Sequence, residues 1–449
     1  MASRNLDFTE GNIMRQMIVF SLPIFLTNVL QTSYQFIDSL WVGNLIGSDA
    51  LASVSVSATV LFTMLSFIIG MNGATLTILA QRKGARDEEG LKESLNAFVV
   101  VFALLSIGIG ILGYFLSPYI LTLIQTPPTI HKLATQYLQV NFLGIVFLFG
   151  YNFIGTVLRA LGDSRTPIRF VFMAVILNTV LDPLFIAYFE MGVIGAAVAT
   201  VVSQGFSFIY ALVYTKQTGK IPFMRPHIPS RMYATAIFKL GIPAGLQMMV
   251  ISGGMMAIMS VVNTFGADVV AGFGASQRMD SLIMLPIVTL GSAINSMAGQ
   301  NIGAGKWERV SDIARSGMIL IVSVSLAIAL LVYASAPLLL GLFVDNPASI
   351  AFGTTYLATV CFFYPFLGIN FVLNGIIRGA GGMMQILVLN FISFWVLRYP
   401  LTAFFSRWVG EQGIAYGMGA SFIISALFAG AYYRFGRWRE IRVLQNREN

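Results

Sequence analysis

The sequence predicts an all-α polytopic membrane protein: twelve transmembrane helices in two six-helix bundles related by a parallel internal repeat. Three observations carry that reading. Of the 449 residues, 57% are hydrophobic and only 10% charged, far more apolar surface than a soluble domain of this length needs. The apolar residues gather into stretches long enough to cross about 30 Å of hydrocarbon, and length makes these helices, since an open strand leaves its backbone unsatisfied in lipid. Finally, short motifs of the first half recur in the second.

The six apolar segments of the first half fall near 16 to 44, 51 to 80, 93 to 117, 131 to 158, 168 to 189 and 193 to 215. A polar linker with prolines, Lys216 to Arg231, follows. Six more segments lie near 235 to 262, 270 to 299, 311 to 336, 350 to 377, 384 to 406 and 412 to 435. The expected organisation is therefore a first lobe over 1–215, a linker over 216–234 and a second lobe over 235–449. Forty-three glycines and fifteen prolines suit close helix packing and broken helices in a bundle.

The repeat has an offset close to 219. Asn44, Gly47, Asp49 and Ala52 match Asn263, Gly266, Asp268 and Ala271, and Gln81 with Gly84 matches Gln300 with Gly303. Pro118, Tyr137 and Arg159 then match Pro337, Tyr356 and Arg378. Six crossings per half give both copies the same orientation. Such architecture is typical of alternating-access transporters, with substrate bound between the halves.

The net charge of +8 reports topology and not nucleic acid. Arg82, Lys83, Arg86 and Lys92, then Arg159, Arg165 and Arg169, then Lys306 and Arg309 share one side with the linker and the tail from Arg434 onward. By the positive-inside rule both termini and the linker are cytoplasmic. Cys361 is the single cysteine, so no intramolecular disulfide forms, and His131 and His227 have no metal-ligand spacing. Residues 1–15 are polar and of mixed charge, so no cleavable signal is expected there. With no nucleophile–base pair and no metal set, the chain reads as a carrier and not an enzyme; a duplicated two-lobe design also exceeds what a channel needs.

Asp38 is the first charge in the stretch from Phe20 to Asn44. An ionised carboxylate inside a span costs at least roughly 3 kcal/mol on insertion scales, so an acid there defaults to a functional role. Gln31, Gln35 and Asp38 follow at i, i+4 and i+7 on one stripe, with Tyr34 one turn before Asp38. That stripe faces protein or water. Gln31, Tyr34, Gln35 and Asn152, the last on the fourth helix beside Asn141, are the expected substrate contacts.

Asp182, in VILNTVLDPLF, is a second intramembrane acid, with Asn178 one turn earlier on the same face. Pro183 cannot donate to the helical ladder, which frees a carbonyl and favours a bend. In the sixth segment Thr200 is the first side-chain hydroxyl. At ~1.5 Å per residue, Asp38, Asp182 and Thr200 all lie roughly 10–12 Å below the outer edge, so they are expected to share one polar cluster. Their repeat counterparts, Ala257 or Ile258 for Asp38 and the region of Tyr399 for Asp182, carry no acid. Two desolvated carboxylates favour sharing a proton; the same oxygens with Asn178 and Thr200 could instead hold Na⁺.

These residues carry a resemblance. Pro23 with Asp38, Asn178 with Asp182, Thr200, and the LRALGDSRTP turn from Leu158 to Pro167 are similar to the multidrug and toxic compound extrusion (MATE) family, in its DinF-like prokaryotic branch. The resemblance covers essentially the whole chain. It implies coupling-cation binding at Asp38, Asn178, Asp182 and Thr200, with Tyr137 nearby, and a kink in the first helix at Pro23 that responds to protonation. It implies export of small organic cations or amphipathic drugs in exchange for H⁺ or Na⁺, by a monomer in contact with membrane lipid and with no other cofactor.

The alternative reading is a lipid-linked precursor flippase of related architecture. Such a function favours a cationic central cavity for a pyrophosphate, whereas the arginines here cluster at the inner boundary. Met248, Met249, Met255, Met256 and Met259 crowd the seventh helix and mostly serve packing, although thioethers also suit a promiscuous cavity. Arg278, Asp280 and Arg398 are expected to be structural, each paired within its surroundings.

Overall fold

The computed structural model describes residues 6–443, apart from the side chains of Gln35, Ser48, Met64, Leu65 and Phe67. The described residues form helices and connecting turns, with no strand among them. The helices are α1 (Ile13–Leu45), α2 (Ser48–Gly84), α3 (Glu88–Leu123), α4 (Pro128–Ala160), α5 (Thr166–Tyr188) and α6 (Gly192–Thr218). After the linker come α7 (Arg231–Phe265), α8 (Ala267–Gly303), α9 (Trp307–Leu340) and α10 (Pro347–Gly379). The last apolar stretch, Met383–Phe435, doubles back at Gly410. It therefore supplies two helices, α11 over 383–409 and α12 (Gly413–Phe435), which completes twelve crossings.

The chain divides into two compact units. The first comprises Met1–Asp7 and Leu22–Phe238; the second comprises Phe8–Ser21 and Lys239–Asn449. Helix α1 is thus shared. Its opening turns belong with α8 and α9, where Phe8 is fully buried and its carbonyl accepts from Asn301 Nδ2 at 2.9 Å and Arg309 Nη2 at 3.0 Å. From Leu22 onward, one residue before Pro23, α1 belongs to the first unit.

The repeat is written into backbone geometry. Gly47 (φ 110°, ψ −172°) and Gly266 (φ 93°, ψ 175°) each sit directly before the second helix of their half. Positive φ with extended ψ is open only to glycine, which explains why this position recurs in both copies.

The LRALGDSRTP turn is a cap. Asp163 Oδ1 accepts the backbone N–H groups of Arg165 (3.1 Å) and Thr166 (3.0 Å), satisfying orphan donors at the start of α5. Its other oxygen accepts from Thr166 Oγ1 and from Lys220 Nζ, both at 2.6 Å. Burial alone would raise this carboxyl's pKa, but the hydrogen bonds from Lys220 and Thr166 and the Lys220 charge outweigh it and hold Asp163 below the usual carboxylate range. Lys220 also ties the linker to the first unit. So does His227, whose backbone exchanges hydrogen bonds with Asn96 (3.0 and 3.1 Å) and whose ring meets Glu93 at 3.2 Å.

Candidate cation-coupling site

Two apolar clusters frame a polar layer in the first unit. On one side Val42, Ala50, Val54, Ile186, Val193 and Ala196 pack with Tyr137; on the other Tyr151, Val171 and Val175 pack with Leu30 and Leu148. Between these layers stand Asp38 on α1, Asn178 and Asp182 on α5, and Thr200 on α6. Asn178 and Asp182 are fully buried, and Asp38 and Thr200 are each 7% exposed.

Local sequence explains the convergence. Gly195 lets α6 approach the end of α5 closely, because a Cβ there would meet the Phe185 backbone at 2.7 Å. That approach brings Thr200 alongside α5. Pro183 has no N–H for the carbonyl four residues earlier, and α5 finishes in a π-helical turn, Leu184–Tyr188. Such turns recur at functional sites; here it begins two residues after Asp182.

The hydrogen bonds leave a characteristic remainder. Asn178 Nδ2 donates to Asp182 Oδ1 at 3.0 Å and lies 3.4 Å from Thr200 Oγ1. Asp38 Oδ1, Asp182 Oδ2 and Asn178 Oδ1 are buried with no partner. Buried polar atoms are nearly always satisfied, so three unsatisfied oxygens in one layer single it out as the candidate site. Asp38 and Asp182 are near enough to interact electrostatically, and Tyr137 senses both. The site thus holds two carboxylates, one amide oxygen and hydroxyls. Oxygen-only ligation suits a proton or a hard monovalent cation.

The structure brings Asp38, Asn178, Asp182, Thr200 and Tyr137 together. Tyr34 lies against the same group, beside Asp38 and Thr200. Gln31 and Asn152 form a separate, part-buried pair, Nε2 to Oδ1 at 3.5 Å. Asn152 and Asn141 each spend their amide N–H on the carbonyl four residues back, at 2.9 Å. The Gln35 side chain lies outside the described residues. Helix α1 runs through Pro23 without interruption, and the Pro23 carbonyl accepts from the Thr27 hydroxyl at 2.8 Å. Tyr151, beside Gln31 and Asn152, is a residue that sequence reasoning passed over; only its position on α4 three residues from Leu148 hinted at the same face.

Arg278, Asp280 and Arg398 each have separate contacts. Arg278 stacks over Phe343 at 5.7 Å. Asp280 accepts from Tyr356 and Tyr364. Arg398 lies over Phe394 at 3.8 Å and Phe422 at 4.7 Å and donates from Nε to Ser421 at 3.1 Å.

The family model described as MatE matches this chain twice, over residues 23–184 and 243–404, once in each half. The chain belongs to the MATE family. Over 97% of its length it is 56% identical to a Bacillus subtilis (strain 168) relative named probable multidrug resistance protein YpnP, covering 98% of that protein. It is 26% identical to the Thermotoga maritima protein named probable multidrug resistance protein NorM, covering 96% of this chain and 94% of that one. A solved structure described as an outward-facing multidrug resistance MATE family transporter superposes with a TM-score of 0.91 at 23% identity, covering 98% of this chain and 99% of the other. MATE membership rests on the family model and the Bacillus subtilis relative, and the superposition supports the twelve-helix fold.

Proposed function

We propose that this MATE protein is a cation-coupled antiporter that exports cationic or amphipathic organic compounds by alternating access, exchanging them for H⁺ or Na⁺. The observation that carries the reading is the buried layer of Asp38, Asn178, Asp182 and Thr200 with its unsatisfied oxygens. An unneutralised pair of acids inside a span is costly, so a bound cation stabilises whichever conformation buries the pair. Asn178 donates to the Asp182 carboxylate, Thr200 joins the group from α6, and Tyr137 stands within electrostatic reach of both acids. Substrate then competes with the cation directly or through the same conformational equilibrium. The multidrug names of the relatives support the substrate class, and the basic loops support cytoplasmic termini in a prokaryotic inner membrane.

Gln31, Tyr34 and Asn152 line the α1–α4 face adjoining this layer and are assigned to substrate contact. Purified protein in liposomes tests the proposal. With an inward H⁺ or Na⁺ gradient imposed separately, efflux of a fluorescent organic cation should accelerate under one of them. Efflux indifferent to both gradients would contradict it.

A further inference from the structure

Helices α11 and α12 pack tightly toward their connecting turn and part at the other end. Near the turn α12 presents a small residue at every fourth position, Gly413, Gly417, Ser421 and Ser425. A Cβ on Gly413 would meet the Phe405 backbone, and one on Gly417 the Thr402 backbone, each at 2.3 Å. Ser421 then accepts from Arg398, and Ser425 Oγ lies 2.6 Å from Ser393 Oγ. Beyond Ser425 the same stripe turns bulky, with Phe428, Tyr432 and Phe435. At the changeover α11 holds a π-helical stretch, Ile392–Arg398, which re-aims its opening turns. A cavity of about 570 Å³ occupies the resulting gap, walled by Met384, Val388 and Ile392 of α11 and by Phe428, Tyr432 and Phe435 of α12.

The gap has the size of an organic ligand's site and is apolar but for Gln385 and the Tyr432 hydroxyl. Met384, Val388 and Phe428 remain exposed on its walls, so no other described part of the chain covers it. Its end at the tail carries the opposite chemistry. Arg434 and Arg437 flank the lining pair Phe435 and Gly436, and Arg439 and Arg442 follow, against the single acid Glu440. Arg434 and Arg437 are exposed and form no ion pair among the described residues. The segment that carries them is anchored. A Cβ on Gly436 would strike the Tyr432 carbonyl oxygen at 2.4 Å, so glycine is required where the chain leaves α12. Trp438, fully buried, donates from Nε1 to the Tyr433 carbonyl at 2.7 Å and packs edge-on to Trp307 at 6.1 Å. Apolar walls below a fixed arginine rim match an acyl chain joined to a phosphate, the group that guanidinium forks bind best.

We propose that the α11–α12 groove binds one anionic phospholipid, with an acyl chain between the parted ends of the helices and the phosphate at Arg434 and Arg437. The positive-inside rule places that headgroup in the cytoplasmic leaflet. The chain fills the gap that Phe428, Tyr432 and Phe435 hold open and that no side chain of the lobe closes. A second copy of the protein fits the groove less well: a twofold axis along the membrane normal would bring two sets of these arginines to the same end, and like charges facing one another across an interface repel. The site uses no residue of the first lobe, so it stands whether or not the acids there couple transport.

Native mass spectrometry of the full-length protein in detergent tests the inference apart from transport. Dioleoyl phosphatidylglycerol and dioleoyl phosphatidylcholine are added in turn, since they share chains and differ in charge. A basic residue beside an anionic lipid is worth about fivefold in affinity. The unaltered protein should therefore hold one phosphatidylglycerol on the order of thirtyfold more tightly than phosphatidylcholine. In R434Q/R437Q that preference should fall to a few-fold, and in V388W, where the indole fills the groove, both the preference and the bound lipid should be lost. All three substituted side chains are exposed, and the arginine pair carries the test even if V388W packs poorly. Equal affinity for the two lipids would overturn the inference, as would a preference that survives R434Q/R437Q. A preference kept in V388W would mean attraction by surface charge with no groove, and displacement of the lipid by glycerol phosphate would make the ligand a free phosphate; either overturns it. So would a dimer that V388W dissolves, which would assign the groove to a second copy.

Discussion

Asn178 and Asp182 stand one helical turn apart on α5, and the amide of the first donates to the carboxylate of the second at 3.0 Å while lying 3.4 Å from Thr200. One NH₂ group therefore orients the acid from α5 and touches the hydroxyl from α6, leaving the amide oxygen and the second carboxylate oxygen free. Asn178→Ala removes the orienting donor and one free oxygen together. A hydrogen bond to a charged group is worth about 1.5–3 kcal/mol, so apparent affinity for the coupling cation should fall by about tenfold or more, measured as the gradient needed for half-maximal efflux in liposomes.

Asp38 and Asp182 interact electrostatically across the layer and should behave as one unit. Groups in contact depart from additivity. Asp38→Asn and Asp182→Asn each should abolish gradient-driven efflux, and the double variant should be no worse than either. A cycle built on cation binding by calorimetry should give a coupling term of about 1 kcal/mol or more; independent, additive effects would separate the two acids.

Asp163 supplies a pH prediction at the α4–α5 turn. Its carboxyl is held below the usual range by Lys220 and Thr166, so its contribution is complete at neutral pH and above the unfolded value. It is lost only as pH falls through the depressed folded value. Hydrogen exchange at the Arg165 and Thr166 amides, which Asp163 caps, should stay slow down through the ordinary carboxylate range and speed up only below it. In Asp163→Asn the two amides should already exchange faster at neutral pH, with a local cost of about 1–3 kcal/mol.

Gly195→Val tests how α6 reaches α5. A Cβ at this position meets the Phe185 backbone at 2.7 Å, so the helices must part. Overpacking of this kind costs about 1–3 kcal/mol, and Thr200 moves away from Asn178. The expected outcome is a lower melting temperature in detergent together with weakened cation coupling; unchanged values for both would mean that the close approach is not required.

The site was largely legible because its signals are local. Asp38 stood alone in an apolar stretch, Asn178 and Asp182 shared a helical face, and equal depth grouped them with Thr200. What stayed hidden depends on contacts between distant parts of the chain. No local pattern joins Asp280 to Tyr356 and Tyr364, which lie 76 and 84 residues away. Nor does hydropathy show that Phe8–Ser21 clusters with α8 and α9, since that docking is made by carbonyls accepting from Asn301 and Arg309. Gln31 and Asn152 were each singled out on their own helices, whereas their mutual hydrogen bond required the packing of α1 against α4. Gly47 and Gly266 show the opposite case, in which a repeated letter announced a repeated backbone geometry.

The central claim is that the acids of the first lobe bind the cation whose entry drives cargo out. The most direct measurement is simultaneous recording of cation uptake and organic-cation efflux in liposomes for the unaltered protein, Asp38→Asn and Asp182→Asn. The account predicts coupled fluxes in the first and loss of both in the two variants, with substrate binding still detectable. Efflux that continues in both variants at the unaltered rate under the same gradient would contradict it.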